Sequence, residues 1–316
     1  MTTSTISTAV VSYGTREELR ACLAALASEP RHAVIVVDNA SPDGSAAMVR
    51  AEFPWVELIE NEENRGYGAA ANQAFAASSV DYLVLLNADV VPQPGALAAL
   101  AQYLNDHSRA AMVAPRLLNP DGTAQPSCYP FLTPGHVLVV MSGLNSILSR
   151  FVPRAARHLG ISPQTSTGRV PWVKGAAVAI RASAFDAVGG FDEGFFLYGE
   201  EHDLCYRLAE AGWETHFTTG AAMIHVEGAS SRGRESAVNE YVFGSLIHFY
   251  RKHFSRGQLL RLRIVLAVLM AARIVRDTLR LWGARDARTR SELRGALSVW
   301  RRVFLGRLSQ TPTTGS

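Results

Sequence analysis

The sequence predicts an α/β protein built on a mostly parallel sheet with helices on both faces. Three observations carry that expectation. Continuous apolar runs alternate with helical stretches through the first hundred residues. The runs lack the polar/apolar alternation of half-exposed strands, so they belong in a sheet covered on both sides. Polar clusters at Ser12, Asp38, Asn64 and Asp89 closely follow successive runs, and ligands of such sheets bind outside the carboxyl ends of the strands.

In chain order, residues 9–13 read as a strand and 16–27 as a helix, with Leu19, Leu23 and Leu26 at helical spacing. Residues 33–37 form a second strand, closed by Asp38-Asn39-Ala40-Ser41-Pro42-Asp43-Gly44, which is turn chemistry throughout. A helix over 45–53, a strand over 56–59, a helix over 68–77 and a strand over 82–86 follow. Between Pro115 and Pro171 the pattern loosens around one apolar stretch, 137–141, and reads as an excursion from the sheet. Regular structure resumes over 173–180 and 182–188, then a helix over 200–211 and a strand near 215–217 leading to His225. No Gly-x-Gly-x-x-Gly follows the first strand, which disfavours a dinucleotide-binding domain.

The 316 residues suffice for one large domain and a smaller appendage. Cys22, Cys128 and Cys205 are scattered and form no C-x-x-C pair, which argues against a zinc site or a disulfide framework and suits a reducing, cytoplasmic compartment. The polar opening at 2–8 reads as the start of the domain and not as a secretory signal. Charge divides the chain at residue 250. Residues 251–316 hold 15 Lys and Arg against 3 acids, whereas residues 1–250 hold 16 against 25. An acidic body over 1–250 with a basic tail over 251–316 implies a separate partner for the tail.

Four segments carry candidate chemistry. Asn87-Ala88-Asp89 closes a strand, where a carboxylate can hold Mg²⁺ or Mn²⁺ against diphosphate oxygens or simply cap the next turn. Asp38 is either a turn former or an acceptor for a nucleobase or ribose. Asn64-Arg65-Gly66-Tyr67-Gly68, running on to Asn72, opens a helix with small residues that allow close backbone approach and favour phosphate; an ordinary glycine-rich loop is the plainer alternative. Glu200-Glu201-His202-Asp203 places three acids and a histidine together. At about 100° per residue, Glu201 shares the stripe of Leu204, Leu208 and Ala211, while Asp203 and Arg207 lie off it, one turn apart, where they can pair. Glu201 is therefore the acid expected to point inward. Burial would raise its pKa toward that of a useful base, and the helix dipole would oppose this. His225, taken alone, reads as a structural histidine.

In this order and spacing, these segments resemble a bacterial family 2 glycosyltransferase of the rhamnosyltransferase-like group, over residues 8–232. The further matching elements are Val10-Val11-Ser12-Tyr13, Gly175-Ala176-Ala177, Gly189-Gly190-Phe191-Asp192-Glu193 and His225 with Ser230. The resemblance implies a GT-A fold and an inverting displacement. It implies a donor site from Ser12, Tyr13, Asp38, Asn64, Arg65, Gly66, Asn72, Asn87 and Asp89, with Asp38 at the nucleobase. It further implies Mg²⁺ or Mn²⁺ on Asp89 and His225, and Glu201 as the base that deprotonates the acceptor hydroxyl. Two positions depart from the family pattern. Asn87 stands where the first acid of an Asp-x-Asp motif is expected, and Glu201 stands where Asp is usual, so the base role could fall to Asp203. The subgroup favours dTDP-rhamnose as the nucleotide diphosphate sugar.

Residues 259–283 and 292–308 read as basic helices whose arginines flank apolar and aromatic residues. That composition suits an anionic membrane surface on the cytoplasmic side; packing on the catalytic body or on a second subunit of a homodimer is the alternative. A membrane-surface tail in turn suggests a lipid-linked saccharide acceptor in cell-envelope polysaccharide synthesis. Nucleic acid fits poorly, because no reading motif appears and apolar content is high. A sugar-nucleotide-binding subunit without turnover is the rival reading. A nucleotidyltransferase would want a basic glycine-rich loop that residues 10–16 do not supply.

Overall fold

The computed structural model describes residues 5–29, 32–142, 151, 164–226, 228 and 235–306. Two compact units emerge. The first comprises Met1–Phe131, Gly160–Glu193 and Glu200–Ser230; the second comprises Leu132–Leu159, Gly194–Gly199 and Ser231–Ser316.

The first unit contains β1 (Ile6–Ser12), α1 (Arg16–Leu26), β2 (Ala33–Asp38), α2 (Ser45–Glu52), β3 (Glu57–Glu60), α3 (Tyr67–Ala77), β4 (Tyr82–Asn87) and β5 (Val90–Pro92). It continues with α4 (Ala96–Asp106), β6 (Ala110–Leu118), β7 (Cys128–Tyr129), β8 (Gly168–Val170), β9 (Trp172–Val173), β10 (Ala177–Arg181), α6 (Ala182–Ala187), α7 (Glu200–Glu210) and β11 (Glu214–His225). The main sheet runs β3-β2-β1-β4-β10-β6-β11-β5, with β8 paired to β11; β7 and β9 form a separate ribbon.

The expected parallel pairing holds across β3, β2, β1 and β4. Beyond β4 the sheet is mixed, because β10 runs antiparallel to both β4 and β6. A fully buried strand looks equally apolar in either direction, so the run Ala177–Arg181 carried no sign of its orientation. Burial on both faces explains the continuous apolar runs. Val10, Val36, Val84 and Leu86 face a core with Leu19 and Leu23 of α1, Met48 of α2 and Leu100 of α4. Their neighbours Ala9, Ile35, Leu83 and Leu85 face the opposite core with Ala70 and Ala74 of α3 and Leu204 and Leu208 of α7. All three cysteines are free and buried; burial first, and Asp89 second, push the Cys22 thiol up to about 12.

The second unit contains α5 (Pro134–Met141), α8 (Glu235–His253), α9 (Arg256–Gly283) and α10 (Ala287–Phe304). The division expected after residue 250 therefore moves, since that position lies inside α8. Charge marks where arginines accumulate; α8, with mixed charge, packs with the later helices irrespective of its sign. Ser255 and Gln258 form a capping box at the start of α9, and Asp286 caps α10 through the Thr289 amide. Ser230, named above, and residues 307–308 of the second basic segment lie outside the described residues. Among the described residues no helix is long and apolar enough to cross a membrane.

One buried acid pins α9 to α10. Asp277, 2% exposed, accepts from Nε and Nη2 of Arg276 and from the Trp300 indole N–H at 3.0 Å. The Arg273 guanidinium lies 4.7 Å from the same indole ring. The Arg276 hydrogen bond is the main reason that the Asp277 carboxyl sits below the usual carboxylate range. Its stabilisation is present above the ordinary aspartate pKa and is lost as pH falls through the lower folded value. Asp277→Ala strands the indole N–H in the interior. The helical unit should lose about 2–3 kcal/mol, read as a lower denaturation midpoint by circular dichroism, with the difference shrinking in acid.

Candidate active site

Strand register assembles the site. Ser12 of β1 lies opposite Asp38 of β2, and Val11 lies opposite Asn87 of β4. Three parallel strands thus end together, and their terminal polar side chains share one edge of the sheet. Ser12 is fully buried, with its hydroxyl 3.3 Å from that of Thr15, and Tyr13 is half-buried beside it. Asp38 is buried as well. Its Oδ2 accepts from the Ser41 amide at 3.0 Å, while its buried Oδ1 has no partner. Asn87 likewise buries an unpartnered Oδ1. Leaving such acceptors dry and unpaired costs about 1–3 kcal/mol each, so this edge is shaped for hydrogen-bond donors brought by a ligand.

The loop before α3 is held by amides. Asn39 donates to Asn64 Oδ1 and to the Gly66 carbonyl, and its Oδ1 accepts from Asn61 and from the Arg65 amide. Gly66 has φ +85°, a left-handed conformation that favours glycine. A Cβ on Gly68 would sit 3.2 Å from that of Phe191 and 3.7 Å from that of Glu200, so the small residue brings the start of α3 against the start of α7.

Asp89 and His225 meet because β5 pairs antiparallel with β11, with His225 opposite Val90. The Val226 amide also donates to the Asp89 carbonyl. His225 Nε2 lies 3.5 Å from Asp89 Oδ1, with both residues buried. Gln125 fixes the imidazole. Its Nε2 donates to the His225 carbonyl at 2.8 Å and to Asn119 Oδ1 at 2.7 Å. Its Oε1 must therefore accept, and takes the proton on His225 Nδ1 at 2.8 Å. With the Nδ1 proton held by Gln125, Nε2 is the ring atom turned toward a carboxylate, the arrangement typical of a metal-ligating histidine with its outer partner. Cis ligands at the roughly 2.1 Å usual for Mg²⁺ lie about 3 Å apart, so this pair fits a small divalent cation with little movement. Among the described residues no third His, Cys, Asp or Glu joins them.

Glu201 lies along the Gly175 backbone. Its Oε1 is 3.5 Å from the Gly175 amide, and a Cβ on Gly175 would meet three carbons of the Glu201 side chain at 3.5–3.6 Å. Tyr67 donates to the Gly175 carbonyl at 3.1 Å. Burial first, then Glu200, Glu201 and Asp89, push the Tyr67 phenol well above its usual range. Glu200 is buried with an unpartnered Oε2; burial, and secondarily Glu201, raise its carboxyl well above the ordinary range.

Comparison with known proteins gives this geometry a family. The profile of glycosyl transferase family 2 matches residues 7–132, and that of glycosyl transferase family group 2 matches residues 128–302, over half of the chain. The chain belongs to glycosyltransferase family 2. Within it, the protein is rhamnosyltransferase-like. It is 32% identical over 253 residues to the N-acetylglucosaminyl-diphospho-decaprenol L-rhamnosyltransferase of Mycobacterium tuberculosis, across 74% of this chain and 80% of the relative. It is 24% identical over 229 residues to the rhamnosyltransferase WbbL of Escherichia coli, across 68% and 81%. Two solved glycosyltransferases share the GT-A-like fold. The mannosyltransferase PcManGT of Pyrobaculum calidifontis, in complex with GDP-Man and Mn²⁺, has a TM-score of 0.54 at 18% identity, across 96% of this chain and 87% of that one. GalNAc-T7 with UDP, GalNAc and Mn²⁺ has a TM-score of 0.57 at 15% identity, across 79% and 48%.

Three expectations change in this glycosyltransferase. Asn72, expected at the donor, instead grips the backbone of the Gly-Gly-Phe-Asp-Glu turn. Its amide donates to the Phe191 carbonyl and to Glu193, and accepts from the Phe191 amide. Asp203, the alternative base, is fully buried and bound at 2.7 Å to Arg207, whose other nitrogens donate to the Val188 and Gly190 carbonyls. That carboxylate is sealed from an acceptor hydroxyl. Glu201 was expected to be the most inward acid, but Glu200 and Asp203 are deeper, because α7 packs on the 188–190 turn and on the start of α3 as well as on the sheet. Asn64 serves its own loop, and Arg65 lies 3.7 Å from Glu193. Gln125 and Asn39 were not singled out as site residues, since a lone polar residue in an irregular segment gives no periodic signal; Tyr67 and Glu200 lie within candidate segments but were given no role of their own.

Gln125→Ala frees the imidazole to rotate or change tautomer. Mn²⁺ affinity, measured by calorimetry on the folded protein, should fall about 10–100-fold; unchanged affinity would show that the Gln125 hydrogen bond does not prepare Nε2.

Proposed function

We propose that this family 2 member is an inverting, divalent-cation-dependent rhamnosyltransferase, moving L-rhamnose from a nucleotide diphosphate, dTDP-rhamnose being favoured, to a hydroxyl of a lipid-linked saccharide in cell-envelope synthesis. The Asp89–His225 pair held by Gln125 carries the reading of the reaction. The relatives named for rhamnosyl transfer, one of them for a diphospho-decaprenol-linked sugar, support the donor sugar and the acceptor class.

Asp38 Oδ1 is the acceptor for a nucleobase N–H. Asp89 and His225 would hold Mg²⁺ or Mn²⁺, which supplies positive charge to a departing diphosphate. Glu201 takes the proton of the acceptor hydroxyl as that oxygen attacks the anomeric carbon. The glycosidic bond forms while the anomeric carbon–diphosphate bond breaks on the opposite side, so one displacement inverts configuration and leaves a nucleoside diphosphate. Glu200, whose environment favours its protonated form, shapes the site beside that base, and Asp203 anchors α7 through Arg207.

The first test is a transfer and hydrolysis screen over nucleotide sugars with each metal; no binding or turnover of any of them would end the transferase reading in favour of a subunit without activity. The second separates the acids. Glu201→Gln should lower kcat about a hundredfold or more with donor affinity retained, whereas Glu200→Gln, which mimics a protonated carboxyl, should keep most of the activity. Equal loss in both would remove Glu201 from the base role.

A further inference from the structure

Helix α9 is apolar on two opposite sides. One side buries Leu262, Leu266, Leu269 and Met270 within the second unit. The other carries Leu260, Ile264, Val268, Val275, Leu279 and Trp282, each more than half exposed and Trp282 79% exposed. Their spacings of four, four, seven, four and three residues keep them on one stripe. At about 1.5 Å per residue it is roughly 33 Å long. A soluble helix needs only one apolar face, and exposed apolar surface of this extent marks an interaction site.

We propose that this stripe docks on an anionic lipid surface, with α9 lying in the headgroup layer parallel to the membrane. Charge selects the occupant. At about 100° per residue, Arg263 falls on one flank of the stripe and Arg261 at its other edge near the start of the helix, while Arg276, farther along that second flank, is paired with Asp277. The one acid of α9, Asp277, is buried on Trp300 and so does not oppose an anionic surface. Long arginine side chains can lie over apolar surface and still reach phosphates. A second copy of the chain is a poorer occupant, because two-fold pairing would bring two arginine-flanked stripes together. Insertion across the bilayer does not apply, since α9 is not apolar enough to span it. The proposal stands on the second unit alone and does not depend on the reaction assigned to the first.

The test is sedimentation of the full chain with phosphatidylcholine vesicles, with and without about a third phosphatidylglycerol, comparing wild type with the double variant Val268→Glu/Leu279→Glu. Both sites are exposed, so the melting transition and donor hydrolysis in solution should be unchanged. Wild type should bind the anionic vesicles, bind less to neutral ones and be released by salt; the variant should bind at least about tenfold more weakly. Absence of binding, equal binding by the variant, or equal binding to neutral vesicles overturns the proposal. So does light scattering that finds a wild-type dimer, a monomeric variant and no vesicle binding, which would give the stripe to a second copy.

Discussion

The parallel hydrogen-bond register of β1 with β2 and β4 is the constraint on which the site depends. Pairing Ser12 with Asp38 and Val11 with Asn87 makes three strands stop at one line. A slip of one residue in β2 would turn Asp38 into a core face and Val37 toward the edge. Such a slip is opposed by the whole buried pattern, because Ile35 and Val36 already face opposite cores. The sheet therefore positions the candidate donor residues through backbone pairing and apolar burial and not through the polar side chains at the edge. Chemistry at the edge is free to vary while the strands are fixed elsewhere.

At that edge the polar groups are arranged in two ways. Some are satisfied within the protein and give rigidity: Asn39 makes four hydrogen bonds that fix the loop into α3, and Gln125 makes three that fix His225. Others, Asp38 Oδ1 and Asn87 Oδ1, are buried without a partner in the protein. In the proposed donor site these are the acceptors left for N–H groups of the nucleotide sugar. Asn87 adds a second effect. An amide in place of a carboxylate lowers the negative charge beside Asp89, which eases its burial without changing the backbone bond to Ala176.

The strands and helices of the first ninety residues were legible because burial on both faces writes continuous apolar runs, and turn residues punctuate them. The edge residues Asp38 and Asp89 were legible for the same reason, since each follows a strand. The antiparallel insertion of β10 was not, because pairing partners far apart in sequence leave no local pattern. The depth of Asp203 was hidden in a similar way. A helical projection assigns each position to one face, whereas α7 is covered on a second side by the 188–190 turn that Arg207 ties down. Gln125 belongs to the loosely patterned stretch after β6, and only the fold reveals its contact with a residue a hundred positions away.

The acids around Tyr67 form a coupled arrangement. Gly175 receives the Tyr67 hydroxyl on its carbonyl and offers its amide toward Glu201, so one peptide segment links a phenol to the proposed base. Burial and three carboxylates all oppose ionisation of that phenol. The negative field of the site thus keeps Tyr67 a hydrogen-bond donor, and a donor is what holds Gly175 in place. Burial first, and Glu201 second, likewise raise the Glu200 carboxyl well above its ordinary range. Gly175 thus carries a backbone contact to both Tyr67 and Glu201, and the Glu201 side chain runs along it at ordinary van der Waals distance.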